Sequence, residues 1–194
     1  KMGYAIAIAG REFGMDVTLV SSSTLSPPAG VHFISVESAD DMYEAVMKHA
    51  PRMDVVVKAA AVADYRPVKT EKHKIKKHEE SFVLHLQKTK DILGTLGELK
   101  DKPFLVGFAA ETSDIDTYAM AKLKKKNCDL LVANDVTMEG AGFGIDTNIV
   151  HLFGPEGKLE TLPQMTKIEV ARHLLKRIAE RIGGDVPVKN EGER

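Results

Sequence analysis

Apolar residues recur along this chain in two alternating rhythms, one of helical period and one of short continuous or every-other-residue runs. Residues 3–13 carry Ala, Ile, Tyr and Phe at helical spacing, and Gly14 is placed to cap that helix. Residues 17–20 form a short apolar strand. The next ten, 21–30, hold four serines and two prolines and read as a loop at that strand's carboxyl end. A second strand is predicted over 31–36. Ser38 then opens a helix reaching about His49, with Met42, Ala45, Val46 and His49 on one face. Residues 53–61 are a buried strand. The segment 69–80 (KTEKHKIKKHEE) is polar and rich in lysine, and 81–87 (SFVLHLQ) alternates like a strand with one solvated face. A short helix spans 91–99, with Asp91 near its start. Residues 103–110 (PFLVGFAA) are a further buried strand, 111–114 end it and cap a helix over 115–127, and 129–133 (DLLVA) are a third. A Gly-rich loop fills 137–147. Residues 148–153 and 158–162 read as a hairpin about 154–157, and 167–182 as an amphipathic closing helix.

Strands alternating with helices imply parallel crossovers. The predicted class is α/β, a Rossmann-like three-layer α/β/α fold whose mostly parallel sheet ends in an antiparallel hairpin near the C-terminus. One domain, 1–182, is followed by a tail, 183–194, rich in Gly, Pro and charge. The chain is organised around residues 55–66 (VVVKAAAVADYR), where an apolar strand delivers Asp64, Tyr65 and Arg66 at its carboxyl end and Pro67 blocks continuation. In open α/β sheets ligands bind at that edge, and small side chains there let a flat ligand approach the backbone. An ordinary strand followed by a polar turn gives the same pattern.

Three buried strands end in polar signatures, VADYR, AAET and ANDV, which places Asp64, Glu111, Asn134 and Asp135 in reach of one crevice. For Glu111 and Asp114 a helix-capping role explains the residue type equally well. Lys122 and Lys126, spaced i, i+4, share a helix face, whereas Lys124 and Lys125 point into solvent. Lysines on flexible stems suit a polyphosphate, although a charge run is also what a solvated face looks like.

Composition narrows the classes. The 194 residues are 43% hydrophobic and 28% charged with a formal net charge of −1, enough for one real core and no global drive toward nucleic acid or membrane. Cys128 is the single cysteine, which excludes an internal disulfide and fits a reducing compartment, so the cytoplasm is expected. It begins a buried strand, a poor place for a nucleophile. No apolar run approaches a bilayer span, the seven histidines lack metal-ligand spacing, and neither GxGxxG nor GxxxxGK[ST] occurs. No metal ligand is assigned.

Six motifs occur in order: KMGYAIA, AAAVADYRP, HKIKK, GFAAET, KLKKKN.DLLVANDV and GFG.DTN.V.L. Together, over residues 1 to about 181, they resemble the phosphopantothenoylcysteine synthetase family, the ligase domain often fused behind a flavin-dependent decarboxylase in bacterial coenzyme A biosynthesis. The resemblance implies a ligase that joins 4′-phosphopantothenate to cysteine with CTP and Mg²⁺. The carboxylate becomes an acyl-cytidylate with loss of pyrophosphate, and the cysteine amine then displaces CMP. By the same resemblance Lys74 of HKIKK is the mobile catalytic lysine. Ala60 and Asp64 line the CTP site, the turn Gln87, Lys88, Thr89, Lys90 contacts the nucleotide, and Phe108, Lys122 and Lys126 complete the site. A homodimer is implied. Two departures stand out: Lys90 replaces the proline of the relatives' KNPD or KTPD turn, and Lys58 stands where relatives often carry a small or apolar residue.

The family's first strand and an Asn-bearing segment that handles the acyl-cytidylate would precede Lys1. A polypeptide beginning at Lys1 is therefore expected to bind nucleotide weakly and not turn over. Residues 69–80 are expected to close over the nucleotide as a flap. A nucleotide-binding regulatory module without turnover, a Rossmann-like dehydrogenase, and ATP in place of CTP are the competing readings. The absent glycine fingerprint weighs against the dehydrogenase.

Overall fold

The computed structural model describes residues 1–69, 83–111, 114–135, 137 and 145–183. Helix α1 (Met2–Glu12) leads into strands β1 (Thr18–Ser21) and β2 (His32–Ser35), and helix α2 (Ala39–His49) follows. A reciprocal cap starts α2: Asp41 N–H donates to Ser38 Oγ at 3.1 Å and Ser38 N–H to Asp41 Oδ2 at 2.9 Å. Strand β3 (Val55–Lys58) comes next, then a small antiparallel ribbon of β4 (Tyr65–Pro67) and β5 (Leu86–Lys88). Helix α3 (Ile92–Gly97), strand β6 (Phe104–Glu111), helix α4 (Ile115–Lys126) and strand β7 (Leu130–Asp135) complete the crossovers. The hairpin β8 (Thr147–Gly154) and β9 (Gly157–Thr166) turns at Gly157, whose φ of 123° suits glycine, and α5 (Lys167–Ile182) closes the chain.

The main sheet has five strands in the order β3-β6-β7-β8-β9, parallel among the first three and antiparallel in the hairpin. Two buried clusters cover its faces. Leu105, Ala109, Leu131 and Ala133 pack with Leu93, Leu96, Ala119 and Leu123 on the α3–α4 side. Val106, Leu130, Val132, Val150 and Leu152 pack with Ala9, Leu174 and Ile178 on the α1–α5 side. Alternation of side chains along β6 and β7 assigns successive residues to these opposite clusters, as a pleat requires.

Three expectations are corrected. Strands β1 and β2 do not join the main sheet but form a parallel pair of their own. Their sequence shows two apolar strands and nothing about who pairs with them. The strand predicted over 53–61 stops at Lys58, because its only ladder runs from Val55 opposite Phe104 to Lys58 opposite Gly107. Ala60 and Ala61 are exposed, and the polar turn that follows folds into β4 rather than ending the strand. Of the strand predicted over 81–87, residues 81–82 lie outside the described residues, and among the rest only Leu86 and Gln87 lie in a strand, which runs on to Lys88. Val83, Leu84 and Leu86 are all exposed, so neither face is covered.

Between β1 and β3 lies a cleft of about 830 Å³. Its walls are the facing edges of the two strands, its floor and roof the helices α1, α2 and α5. β1 pairs only with β2 and β3 only with β6, so the inward edges of both carry no ladder partner among the described residues.

Candidate functional site at the strand ends

The parallel strands β3, β6 and β7 point their carboxyl ends the same way, and the cleft opens there onto Lys58, Ala59, Ala60, Phe108, Ala110 and Asn134. Small side chains at 59–61 leave backbone accessible at this mouth. The turn at 87–90 is stitched beside it: Thr89 Oγ1 donates to the Ala63 carbonyl at 2.6 Å and Thr89 N–H to the Asp64 carbonyl at 2.9 Å. Ladder pairing sets Lys88 opposite Tyr65 and Gln87 opposite Arg66. Asp64, Gln87, Lys88 and Thr89 therefore share one exposed corner, although the sequence separates them by more than twenty residues.

Helices α3 and α4 bring charge to the same end. Asp91 caps α3 by accepting from Gly94 N–H at 2.9 Å, and its other carboxylate oxygen pairs with the Lys126 ammonium. Partial burial opposes charge on Asp91. The Lys126 hydrogen bond, the Gly94 N–H and the neighbouring ammoniums outweigh it and hold the pKa below the usual value. Lys122 is half-buried on the same face of α4, while Lys124 and Lys125 are exposed as predicted. Lys58 sits in the field of Lys122 and Lys126 and of Asp91 and Asp64. Burial first, then the two lysines, push its pKa below the ordinary lysine value against the two carboxylates.

The site residues expected from the sequence thus divide. Asp64, Gln87, Lys88 and Thr89 gather at the corner, and Lys122 and Lys126 gather near Lys58. Asp64, Lys122 and Lys126 do not line the cleft itself, whereas Ala60 and Phe108 do. Phe108 packs with the α1–α5 cluster, on the opposite face of the sheet from the α4 lysines. Lys90 is drawn to α2 instead: its ammonium lies 2.6 Å from Glu44 Oε1 and 4.6 Å above the Tyr43 ring. Lys74 and residues 70–80 lie outside the described residues. Glu111 and Asp135 pair in register at the ends of β6 and β7. Asp114 precedes α4 in a left-handed conformation, φ 47°, with no side-chain cap to the backbone; its carboxylate accepts from the Thr117 hydroxyl at 3.0 Å.

Sequence reasoning missed two features. The Asp91–Lys126 pair joins residues 35 apart, and only packing of α3 on α4 reveals it. Asn134 and Asn148 both line the cleft at 8% and 4% exposure, and among the described residues neither carboxamide oxygen has a hydrogen-bond partner. A buried polar atom left unpaired is costly and marks a place where a ligand or water belongs. The ANDV signature puts Asn134 in reach of the strand-end crevice, but nothing in the DTN motif indicates that Asn148 faces the same cavity.

The family model for the DNA/pantothenate metabolism flavoprotein C-terminal domain matches residues 1–182. The chain belongs to this family. A relative in Bacillus subtilis (strain 168), the coenzyme A biosynthesis bifunctional protein CoaBC, is 50% identical over 181 residues, covering 92% of this chain. The chain spans only 45% of that relative's length. The crystal structure of the C-terminal domain of a CoaBC bifunctional protein superposes with a TM-score of 0.79 at 45% identity, covering 95% of this chain and 83% of that one. The structure of a Cab2 H337A mutant in complex with phosphopantothenate-cysteine shares the fold at a TM-score of 0.72 and 13% identity, covering 94% of this chain and 79% of that one. Among the described residues no helix is long and apolar enough to cross a membrane.

Proposed function

We propose that this domain ligates 4′-phosphopantothenate to cysteine at the expense of CTP. A carboxylate is a poor electrophile until it carries a good leaving group. The reading takes the pantothenate carboxylate oxygen onto the α-phosphorus of CTP, expelling pyrophosphate. The cysteine amine then attacks the acyl carbon, loses a proton and expels CMP, leaving an amide. Both steps bring anions together, so the site must supply positive charge where negative charge accumulates.

The observation that carries this reading is the gathering of Lys58, Lys122 and Lys126 at the carboxyl ends of parallel strands, beside a cleft large enough for a nucleotide, in a chain of this family. Accessible backbone at 59–61 and the two unpaired carboxamide oxygens offer further polar contacts. Among the described residues no three His, Cys, Asp or Glu side chains gather as metal ligands. Mg²⁺ is therefore read as arriving with the triphosphate, held by phosphate oxygens and water. Lys74 as the catalytic lysine, the homodimer, the cytoplasmic setting and a decarboxylase partner domain belong to the same reading. The strand and Asn-bearing segment that the resemblance puts ahead of Lys1 belong to it too.

The test is isothermal titration with CTP, ATP and NADH in the presence of Mg²⁺, on the native protein and on Lys122→Ala/Lys126→Ala. Preferential CTP binding, weakened roughly a hundredfold in the double variant, is expected if each lysine supplies one charge-assisted contact. Binding that favours NADH, or CTP binding indifferent to the two lysines, would sink the reading.

A further inference from the structure

Lys58 has an unusual position for a lysine. The pleat of β3 puts it on the same face as Val56, which packs against the apolar cluster under α2, α3 and α4. Its register partner on β6 is Gly107, and the space a Cβ would need there is already taken by Leu131, Leu93 and Cys128. Lys58 is thus half-buried on a face of packed apolar surface and lines the cleft. Among the described residues its ammonium makes no hydrogen bond and no ion pair. Lys126 has taken the nearby Asp91 carboxylate for itself. Lys122, close by, likewise has no such partner among the described residues.

A half-buried ammonium with no acceptor, next to two other ammoniums, is an unfavourable arrangement in the free protein. Three cations face two carboxylates here, and one of the carboxylates is already engaged. An incoming polyanion would reverse the balance, supplying the missing acceptors and cancelling the mutual repulsion. Lys58 is also the one residue common to the cleft lining and the charge cluster, since Lys122 and Lys126 stand outside the cleft.

We propose that Lys58 is a phosphate-binding residue, whose ammonium takes the polyphosphate chain of the nucleotide together with Lys122 and Lys126. The inference rests on the nucleotide reading above and adds to it one further cation at the strand end. Burial and its lysine neighbours lower the pKa of Lys58 in the free protein, and a bound phosphate would oppose that shift.

The experiment titrates the intact protein calorimetrically with magnesium pyrophosphate and MgCTP as the two probes, and with MgATP for reference, comparing native protein with Lys58→Met and Lys58→Arg. Methionine keeps the apolar stem, so the variant is expected to melt no lower than native protein. Lys58→Met should weaken pyrophosphate and CTP alike by roughly tenfold, the worth of one charge-assisted contact, and Lys58→Arg should retain most of the affinity. Unchanged affinity of Lys58→Met for both probes overturns the inference. A lowered melting temperature in Lys58→Met, together with no rescue by arginine, marks a packing role and overturns it as well. Pyrophosphate binding that depends on Lys58 while CTP is not preferred over ATP leaves the inference standing and removes the CTP reading. A CTP preference indifferent to Lys58 does the reverse, and absence of binding to both probes removes both.

Discussion

Gly97 ends α3 with its backbone against the last turn of α4, and replacing it with alanine is the sharpest test of how these helices are packed. A Cβ at Gly97 would lie 2.0 Å from the Lys126 carbonyl oxygen, 2.9 Å from its carbonyl carbon and 3.2 Å from Asn127 Cβ. Non-bonded carbon and oxygen come no closer than about 3.3 Å, so α3 and α4 must part by about 1.3 Å. The obstacle is backbone, and no rotamer change relieves it. The same junction holds a hydrogen bond from Asn127 Nδ2 to the Gly97 carbonyl at 2.8 Å. Overpacking costs ~1–3 kcal/mol and the strained hydrogen bond about 1 more, against a helix-propensity gain for alanine of at most ~1. The net loss is about 2–3 kcal/mol. For a domain of this size it lowers the melting temperature by roughly 4–12 °C, read by circular dichroism and checked by urea denaturation. A Gly97→Ala protein melting within about 2 °C of native would refute the close approach.

Three further outcomes follow from other contacts. Arg172 holds Glu12 by two hydrogen bonds, Nε to Oε2 at 2.8 Å and Nη2 to Oε1 at 3.0 Å, and these keep the Glu12 pKa below its usual value. A depressed carboxylate stabilises above its unfolded pKa and loses that effect as pH falls through the folded one. Glu12→Gln should therefore cost up to ~1 kcal/mol in urea melts at neutral pH, a difference that vanishes below about pH 4. An equal gap at pH 7 and pH 3 would contradict the assignment. Burial, with Asp129 beside it, pushes the Cys128 thiol up to about 11. Native protein should react with a thiol reagent at pH 8 at least a hundredfold more slowly than unfolded protein, by the smaller thiolate fraction alone; comparable rates would place Cys128 outside the core. Replacing Asp91 by alanine removes both the α3 cap and the partner of Lys126 and should cost about 1–2 kcal/mol, whereas Asp91→Asn keeps the cap and costs less; equal losses in thermal melts would argue against the cap.

Much of this fold was legible from periodicity. The three strands at 55–58, 104–111 and 130–135 carry nearly uninterrupted apolar runs; β6 and β7 are central with both faces covered, whereas β3 is half-buried at the edge of the described sheet. The closing helix was equally plain. What could not be read was pairing. Thr18–Ser21 looks the same whether it joins the main sheet or stands apart with His32–Ser35, since a strand's sequence records burial and not its neighbour. The site divides likewise. Residue types at strand ends were visible in VADYR and ANDV, and the i, i+4 lysines were visible on α4. That Asp91 sits on Lys126, that Phe108 approaches from the other face, and that Lys90 turns to Glu44 are facts of packing between distant segments. Lys58 was conspicuous in an apolar run, but only the absence of any partner gives it a meaning.

The divided sheet links folding to ligand affinity. The residues of β3 serve two structures at once: Val55–Lys58 form one wall of the cleft, and Lys58 with Ala59 and Ala60 forms its lip at the strand end. Whatever fills the cleft fixes the backbone of that lip, and whatever binds at the lip fixes the edge of the cleft. By thermodynamic reciprocity each event must change the affinity of the other by the same factor. On the proposed reading, ligand affinity at the lip would also report how the edge of β3 is held.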